Sequence, residues 1–171
     1  MNRSSRLDAG HRAWCAIDFG TSNSAVAVPQ GPQGLSLVAL EGTEVTMPTA
    51  VFFRADDPHA VQAPCEFGRA ALAAYVDGVD GRLMRSMKSI LGSTLLEQHT
   101  DIGAGRSVRY GDVVVRYLRH LKRCAEKVLG EPLQRVVLGR PVHFVDDDPV
   151  RDAQAHRALE HAAHTVGFDE I

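Results

Sequence analysis

The residues of this chain best suited to chemistry lie in one short polar turn between two apolar runs. Asp18 lies near the end of the first run, and Gly20, Thr21, Ser22 and Asn23 form the turn. Glycine lets the backbone approach a ligand closely, and small hydroxyl side chains add hydrogen-bond donors without bulk. A carboxylate beside a phosphate is a ligand that magnesium and its water molecules accept. The turn therefore predicts a phosphate and magnesium site, with an ordinary polar hairpin turn as the alternative.

Strands on both sides position this turn. Residues 15–17 are apolar, and residues 25–28 alternate between alanine and valine, which indicates a β-hairpin. The Pro- and Gly-rich residues 29–34 predict a second turn, and residues 35–40 predict a third strand. The three strands together predict an antiparallel meander. Residues 41–53 predict a turn, an extended segment containing proline, and a short strand.

The hairpin motif resembles a known nucleotide-binding element. The run IDFGTSNS, residues 17–24, is similar to the first phosphate motif of the actin, hexokinase and heat-shock-70 ATPase superfamily. Its form is closest to the heat-shock-70 (DnaK-type) chaperones. The resemblance implies that Gly20, Thr21, Ser22 and Asn23 bind the phosphates of ATP or ADP. It also implies that Asp18 binds magnesium through water and takes part in catalysis.

A second catalytic candidate is Lys88. Residues 82–92 predict a helix, because four apolar side chains recur at helical spacing, namely Met84, Met87, Ile90 and Leu91. Lys88 lies off that stripe, which by itself is typical of a solvated lysine. In the chaperone family, a lysine followed two residues later by an apolar pair and glycine reaches the γ-phosphate. The run KSILG, residues 88–92, fits that pattern, so the resemblance implies a catalytic role for Lys88.

The middle of the chain predicts loops and two helices. Residues 56–62 and 94–109 predict loops, and residues 67–75 predict a short alanine-rich helix. Residues 112–129 predict the strongest helix, which ends at Gly130. Its apolar face is formed by Val114, Tyr117, Leu118, Leu121, Ala125 and Val128, and its basic face by Arg116, Arg119, Lys122, Arg123 and Lys127. Without interleaved aromatic residues, the basic face indicates a solvated surface rather than a nucleic-acid site.

The last third predicts a strand followed by a helix. Residues 136–142 form a continuous apolar run, typical of a strand buried on both faces. Asp148 as N-cap and Pro149 at the first helical position predict a helix start, and the helix extends to about Val166. Asp148 ends an acidic triplet without the alternating spacing of a calcium loop. The three histidines of this helix do not form a zinc motif and are predicted to be partly exposed: His156, His161 and His164.

Composition excludes several classes of protein. The chain has 171 residues, a net charge of −2 and 44% hydrophobic residues, which indicates a globular protein with no reason to bind nucleic acid or membranes. Residues 1–12 are polar and basic, which predicts a disordered leader rather than a signal peptide. Cys15, Cys65 and Cys124 are widely spaced, which predicts buried reduced thiols in a cytoplasmic protein.

The resemblance extends from Trp14 to Ile171 and is nearest to the short, divergent bacterial (YegD-like) members of the family. It implies an α/β ribonuclease-H-like (actin-like ATPase) fold, first half only, with an inserted smaller subdomain. The expected divisions are a leader at 1–12, subdomain IA at 13–43 and 111–171, and subdomain IB at 44–110. His143 and Arg140 depart from the residues usual in the family, which are tyrosine and valine. The chain ends where the family's fifth strand would begin.

The implied function is the N-terminal portion of the ATPase domain of a heat-shock-70-like molecular chaperone, with ATP or ADP and magnesium as cofactors. Client proteins or co-chaperones are expected as partners through a longer protein. Without a second lobe, the chain is predicted to bind ATP only weakly, to show no turnover, and to associate with itself. The alternatives are a sugar or metabolite kinase, an actin-like filament protein, and an ATP-binding protein without hydrolysis. Sugar-dependent thermal shifts would identify the kinase, and nucleotide-dependent pelleting would identify the filament protein.

Overall fold

Ten strands and three α-helices make up the part of the chain described by the computed structural model, residues 13–32, 34–56, 64–139 and 148–171. The strands are β1 (Trp14–Phe19), β2 (Asn23–Gln30), β3 (Gly34–Leu37), β4 (Thr46–Pro48), β5 (Ala50–Arg54), β6 (Cys65–Phe67), β7 (Gly81–Arg85), β8 (His99–Gly103), β9 (Arg106–Arg109) and β10 (Arg135–Gly139). The helices are α1 (Gly68–Val76), α2 (Tyr110–Leu129) and α3 (Pro149–Val166), and short 3-10 helices span Met87–Ile90 and Thr94–Glu97.

The main sheet carries the polar turn. Its strand order is β10-β1-β2-β3, with β4 also paired to β2. β10 runs parallel to β1, whereas β1, β2 and β3 form an antiparallel meander. A second sheet has the order β6-β5-β7, and β8 and β9 form a separate hairpin. The predicted antiparallel meander is therefore confirmed.

The core lies between the main sheet and the helices α2 and α3. Alternate residues of β1 point inward, so Cys15, Ile17 and Phe19 are buried. The buried stripe of α2 faces them and consists of Val113, Val114, Tyr117, Leu118, Leu121 and Ala125. α2 ends at Gly130, whose φ of 75° lies in the left-handed region that glycine tolerates. The same apolar cluster extends to α3 through Ala155, Leu159, Ala162 and Ala163.

The predicted helix over residues 82–92 is wrong. Its first part is strand β7, where Met84 pairs with Val51 of β5. Ser86 then adopts a left-handed conformation with φ of 52°, which ends the strand and starts the 3-10 helix Met87–Ile90. Met84, Met87 and Leu91 are nevertheless buried. Their three- and four-residue spacing therefore reflects a strand and a 3-10 turn that share one core.

Two other stretches differ from their predicted structure. Residues 94–109 contain the β8–β9 hairpin, whose turn includes Gly103, Ala104 and Gly105 at positive φ. In β10, Val136 is buried but Val137 is 59% exposed. The prediction of burial on both faces is wrong for Val137, because only the face of β10 that carries Val136 and Leu138 packs against the described core. Residues 140–142 of the predicted strand lie outside the described residues.

The observed start and faces of helix α2 differ from the predicted ones. The helix begins at Tyr110, two residues earlier than expected. Val128, expected on the apolar face, is 59% exposed. Arg116 and Arg119 on the basic face are half-buried rather than fully solvated, and so is Lys122, which pairs with Glu126.

The remaining helical predictions are confirmed. Helix α1 lies within one residue of its predicted range, and α3 begins at Pro149 with the Asp148 side chain accepting from the N–H of Arg151. The three histidines of α3 are exposed. The predicted leader, most of the 56–62 loop, and the positions Arg140, His143, Asp146 and Asp147 lie outside the described residues; the division into subdomains IA and IB stays a prediction.

The cysteines are free thiols, as expected, although only Cys15 is fully buried and Cys65 and Cys124 are half-buried. Within the described residues, no helix has the length and apolar character needed to cross a membrane.

Alkaline pH is expected to destabilise the fold through Cys15 and Tyr117. Burial raises the pKa of each to about 12, from ordinary values of 9.0 and 10.0. Above its ordinary pKa, each group holds its proton in the folded protein but loses it in the unfolded chain. The contribution of these two groups to stability is therefore full below pH 9 and falls as pH rises toward 12, by about 1.4 kcal/mol per pH unit for each group.

Urea denaturation at a series of pH values from 8 to 11 measures this effect. Tyr117→Phe is the matched variant, because it removes the tyrosine proton and leaves that of Cys15. It should keep the decline that begins near pH 9.0 and lose the steeper decline above pH 10.0. A free energy of unfolding that stays constant across the series would contradict the prediction.

Candidate phosphate site

The turn between β1 and β2 is tight, and Gly20 makes it possible. A Cβ atom at Gly20 would collide with the carbonyl oxygen of Asn23. Only a residue without a side chain lets the backbone close at this point. Thr21, Ser22 and Asn23 follow and are all exposed. The residues predicted to bind phosphate therefore form one exposed surface at the end of the hairpin.

Thr49 holds the turn in place from the neighbouring segment. Its hydroxyl donates to the carbonyl of Gly20 at 2.9 Å and lies 2.9 Å from the Ser24 hydroxyl. Its backbone N–H donates to the carbonyl of Ser22 at 2.8 Å. Thr49 and Ser24 are both buried, so these contacts are shielded from water. Turn carbonyls that are tied inward in this way leave the outer surface of the turn to its N–H groups and side chains.

Tyr117 of α2 supports the same segment from the core. Its hydroxyl donates to the carbonyl of Pro48 at 3.1 Å. Its ring lies 5.9 Å from the ring of Phe19, centroid to centroid, at a tilted angle. Tyr117 of α2 thus contacts both Phe19 at the end of β1 and the segment that contains Thr49, and these two segments hold the turn.

Asp18 lies on the face of β1 opposite the core. Its flanking residues Ile17 and Phe19 are buried, whereas Asp18 is exposed. Its partners on the neighbouring strands are small, with Ala25 on β2 and Gly139 on β10. A Cβ atom at Gly139 would lie 3.5 Å from Oδ1 of Asp18. These small neighbours keep the carboxylate accessible to a ligand.

Lys88 lies close enough to Asp18 for the two charges to interact. Burial lowers the pKa of Lys88, and the negative charge of Asp18 acts in the opposite direction. The segment is anchored on both sides of the lysine, because Met87 and Leu91 are buried in the core. Arg151 of α3 donates from Nε to the carbonyl of Gly92 at 3.0 Å, which fixes the end of this segment.

The backbone before Lys88 is strained. Ser86 is a non-glycine residue at φ of 52°, and its carbonyl accepts from both the N–H and the hydroxyl of Ser89. Strained residues of this kind persist when the surrounding contacts determine them, and they concentrate at functional sites. The conformation of Ser86, two residues before Lys88, ends strand β7 and starts the 3-10 helix that contains Lys88.

The polar groups of this site fit a magnesium ion that is bound together with phosphates better than a metal ion that is bound by protein side chains alone. In the described part of the chain, no group of three or more His, Cys, Asp or Glu residues is placed to hold a metal. Magnesium usually keeps several waters and binds through one or two carboxylates together with substrate phosphates. A single accessible carboxylate at Asp18 beside a turn suited to phosphates fits that mode of binding.

Sequence reasoning named candidate residues for the site but did not name the residues that hold them in place. Asp18, the turn residues and Lys88 come from distant parts of the chain, and the structure brings Asp18 and Lys88 within reach of each other's charge. The roles of Thr49, Ser86 and Arg151 were not predicted. Threonine directly after proline in an extended segment was the available signal for Thr49, and nothing in the sequence pattern marked the other two.

The chain is similar in sequence to a known chaperone. No family model matches the chain. The chain is 29% identical over 158 residues to the chaperone protein DnaK of Cenarchaeum symbiosum (strain A). The aligned region covers 91% of this chain and 21% of the DnaK protein. It therefore spans about a fifth of the length of the relative that it matches. The mixed α/β architecture is consistent with the ATPase domain of heat-shock-70 proteins, and the chain is similar to a chaperone of that family over most of its own length.

Proposed function

We propose that this chain is the N-terminal portion of the ATP-binding domain of a heat-shock-70-like chaperone. The observation that carries the proposal is the exposed turn of residues 20–23, closed at Gly20 and held from behind by Thr49. Small residues and a backbone that can approach closely are the features that recognise phosphate groups. The similarity to a chaperone DnaK supports the same assignment.

The residues around the turn have separate roles in this proposal. Thr21, Ser22 and Asn23 bind the phosphates of ATP or ADP through backbone N–H groups and side chains. Asp18 orients water molecules of a bound magnesium ion, which supplies positive charge that offsets the charge of the phosphates. Lys88 directs its ammonium group toward the phosphate that is transferred, where negative charge develops during hydrolysis.

We further infer that the fold is the first half of a ribonuclease-H-like domain of the actin-like ATPase type. The parallel pairing of β10 with β1, beside the antiparallel strands β1, β2 and β3, supports this inference. Hydrolysis would then require a second lobe, and clients or co-chaperones would bind through a longer protein. The affiliation with the short, divergent members of the family is part of the same proposal.

Asp18→Asn is expected to lower magnesium-dependent ATP hydrolysis by about tenfold to a hundredfold, because one acceptor for metal-bound water loses its charge. A chimera in which this chain replaces the matching part of the archaeal DnaK provides the second lobe for the assay. Asp77→Asn is the matched control, since Asp77 is an exposed carboxylate at the end of α1. Steady-state hydrolysis at several magnesium concentrations measures the effect. Unchanged hydrolysis in the Asp18 variant would remove Asp18 from the site.

A further inference from the structure

A polar pocket lies between β6 and α2, apart from the residues of the proposed nucleotide site. Its volume is about 340 Å³, and its walls are Cys65, Phe67, Arg116, Arg119, His120 and Arg123. None of the turn residues 20–23, nor Asp18 or Lys88, lines it. A pocket of this volume is at the small end of the range that binds small molecules.

Three arginines of α2 meet in this pocket. Arg116, Arg119 and Arg123 are spaced by three and four residues, which places them on one face of the helix. Like charges at this spacing repel each other and destabilise a helix by a few tenths of a kcal/mol per pair. Arg116 and Arg119 are half-buried, so water screens their charges less than it would at an open surface.

The two carboxylates of α2 pair with cations that do not line the pocket. Glu126 of α2 pairs with Lys122, and Asp112 pairs with Arg109 at 2.8 Å. In the part of the chain that the structure describes, none of the three pocket arginines forms an ion pair with a carboxylate.

Two carboxylates act electrostatically on residues of the pocket, Glu41 on His120 and Glu126 on Arg123. Glu41 accepts from the backbone N–H of Arg69 at 2.6 Å and pairs with the Arg69 side chain, whereas Glu126 pairs with Lys122. Both carboxylates are thus paired with cations outside the pocket, and among the described residues the three pocket arginines are left without an ion-pair partner.

Other contacts of the pocket hold its walls in place. The ring of His120 stacks on the ring of Phe67, with centroids 4.2 Å apart and planes 14° apart. The guanidinium carbon of Arg116 lies 5.8 Å from the centroid of the Phe53 ring. Side chains fixed in this way lose less conformational entropy when a ligand binds.

We propose that this pocket binds the phosphate group of a small soluble ligand. Guanidinium groups donate paired hydrogen bonds that match phosphate oxygens, and several of them can surround a tetrahedral anion. A carboxylate has two oxygens and one charge, so it would satisfy fewer of these donors. The ligand relieves the repulsion among the three arginines, which favours the more highly charged phosphate. This site is separate from the hairpin turn and does not depend on the proposed ATPase function.

Titration of the ¹⁵N-labelled chain with inorganic phosphate tests the proposal, with the arginine Nε–H resonances as the signal. Saturable shifts of the Arg119 and Arg123 resonances are expected. Arg119→Gln/Arg123→Gln should weaken phosphate binding at this site by at least about tenfold, followed through the remaining Arg116 resonance. Arg157→Gln is the matched control, because Arg157 is an exposed arginine of α3 outside the pocket, and it should bind phosphate like the wild type.

Two further measurements separate this outcome from loss of folding and from general anion binding. Without phosphate, the double variant should be at least as stable as the wild type in thermal denaturation, because like-charge repulsion is removed; phosphate should raise the melting temperature of the wild type more than that of the variant. Acetate should bind at least about tenfold more weakly than phosphate. Absence of saturable shifts, equal phosphate affinity in the double variant, or equal binding of acetate would each overturn the proposal.

Discussion

Replacing Lys88 with alanine is expected to lower the turnover number of the ATPase chimera by about a hundredfold or more, while KM for ATP changes by less than about threefold. The asymmetry follows from the proposed role. A cation that approaches the transferred phosphate strengthens its interaction as charge develops in the transition state, so its loss lowers kcat more than ground-state binding. Steady-state kinetics with magnesium-ATP separates the two parameters.

The stability of the Lys88 variant distinguishes a functional lysine from a structural one. Burial lowers the pKa of Lys88, so the folded protein binds this proton less tightly than the unfolded chain does. The free energy of unfolding therefore rises with pH between the folded-state pKa of Lys88 and its ordinary value of 10.5. Below the folded-state pKa the lysine is charged in both states, and its partial burial then lowers the free energy of unfolding.

Lys88→Ala should therefore leave the free energy of unfolding at pH 7 within about 1 kcal/mol of the wild type. Lys127→Ala, at an exposed lysine of α2, is the kinetic control. An increase in KM with unchanged kcat would make Lys88 a ground-state binder and contradict its catalytic role.

Gly20→Ala is expected to weaken magnesium-nucleotide binding by about a hundredfold, because the turn must open to accommodate the new methyl group. The methyl carbon would collide with the backbone carbonyl of Asn23, which has no flexible side chain to move aside. The same overpacking should lower the free energy of unfolding by about 1–3 kcal/mol. Calorimetry on the chimera measures the affinity, and urea denaturation of the chain measures the stability.

The control for this variant is Gly31→Ala in the next turn of the meander. Gly31 has φ of +66°, and no atom lies within 4 Å of the position that a Cβ atom would take there, so alanine meets backbone strain without a collision. It should cost about 1 kcal/mol of stability and leave nucleotide affinity unchanged. Equal losses of affinity in the two variants would mean that loss of stability, rather than the shape of the phosphate turn, explains the effect of Gly20→Ala.

The parts of the fold that were predictable are those determined by local signals. The β1–β2 hairpin followed from alternation around a polar turn, and the start of α3 followed from Asp148 and Pro149. Both signals act within a few residues, so no distant partner changes their outcome. For the same reason, the residues that face the candidate site could be named from a short motif.

The parts that were not predictable depend on distant contacts. Residues 82–85 form a strand because β5 pairs with them, and that pairing overrides the helical spacing of Met84 and Met87. Thr49 supports the phosphate turn through contacts to Gly20 and Ser22, about 30 residues earlier in the chain. No periodicity within either segment encodes these contacts.

Titration of the ¹⁵N-labelled chain with magnesium-ATP, followed through its backbone amide resonances, tests the central claim most directly. The account predicts saturable shifts at Gly20, Thr21, Ser22 and Asn23 with a dissociation constant of about 1 mM or weaker, and their loss in Gly20→Ala. These shifts should persist in Arg119→Gln/Arg123→Gln, which separates the turn from the arginine pocket. If the turn amides do not respond to magnesium-ATP, or respond equally in Gly20→Ala, the hairpin is not a phosphate site and the proposed ATPase function is wrong.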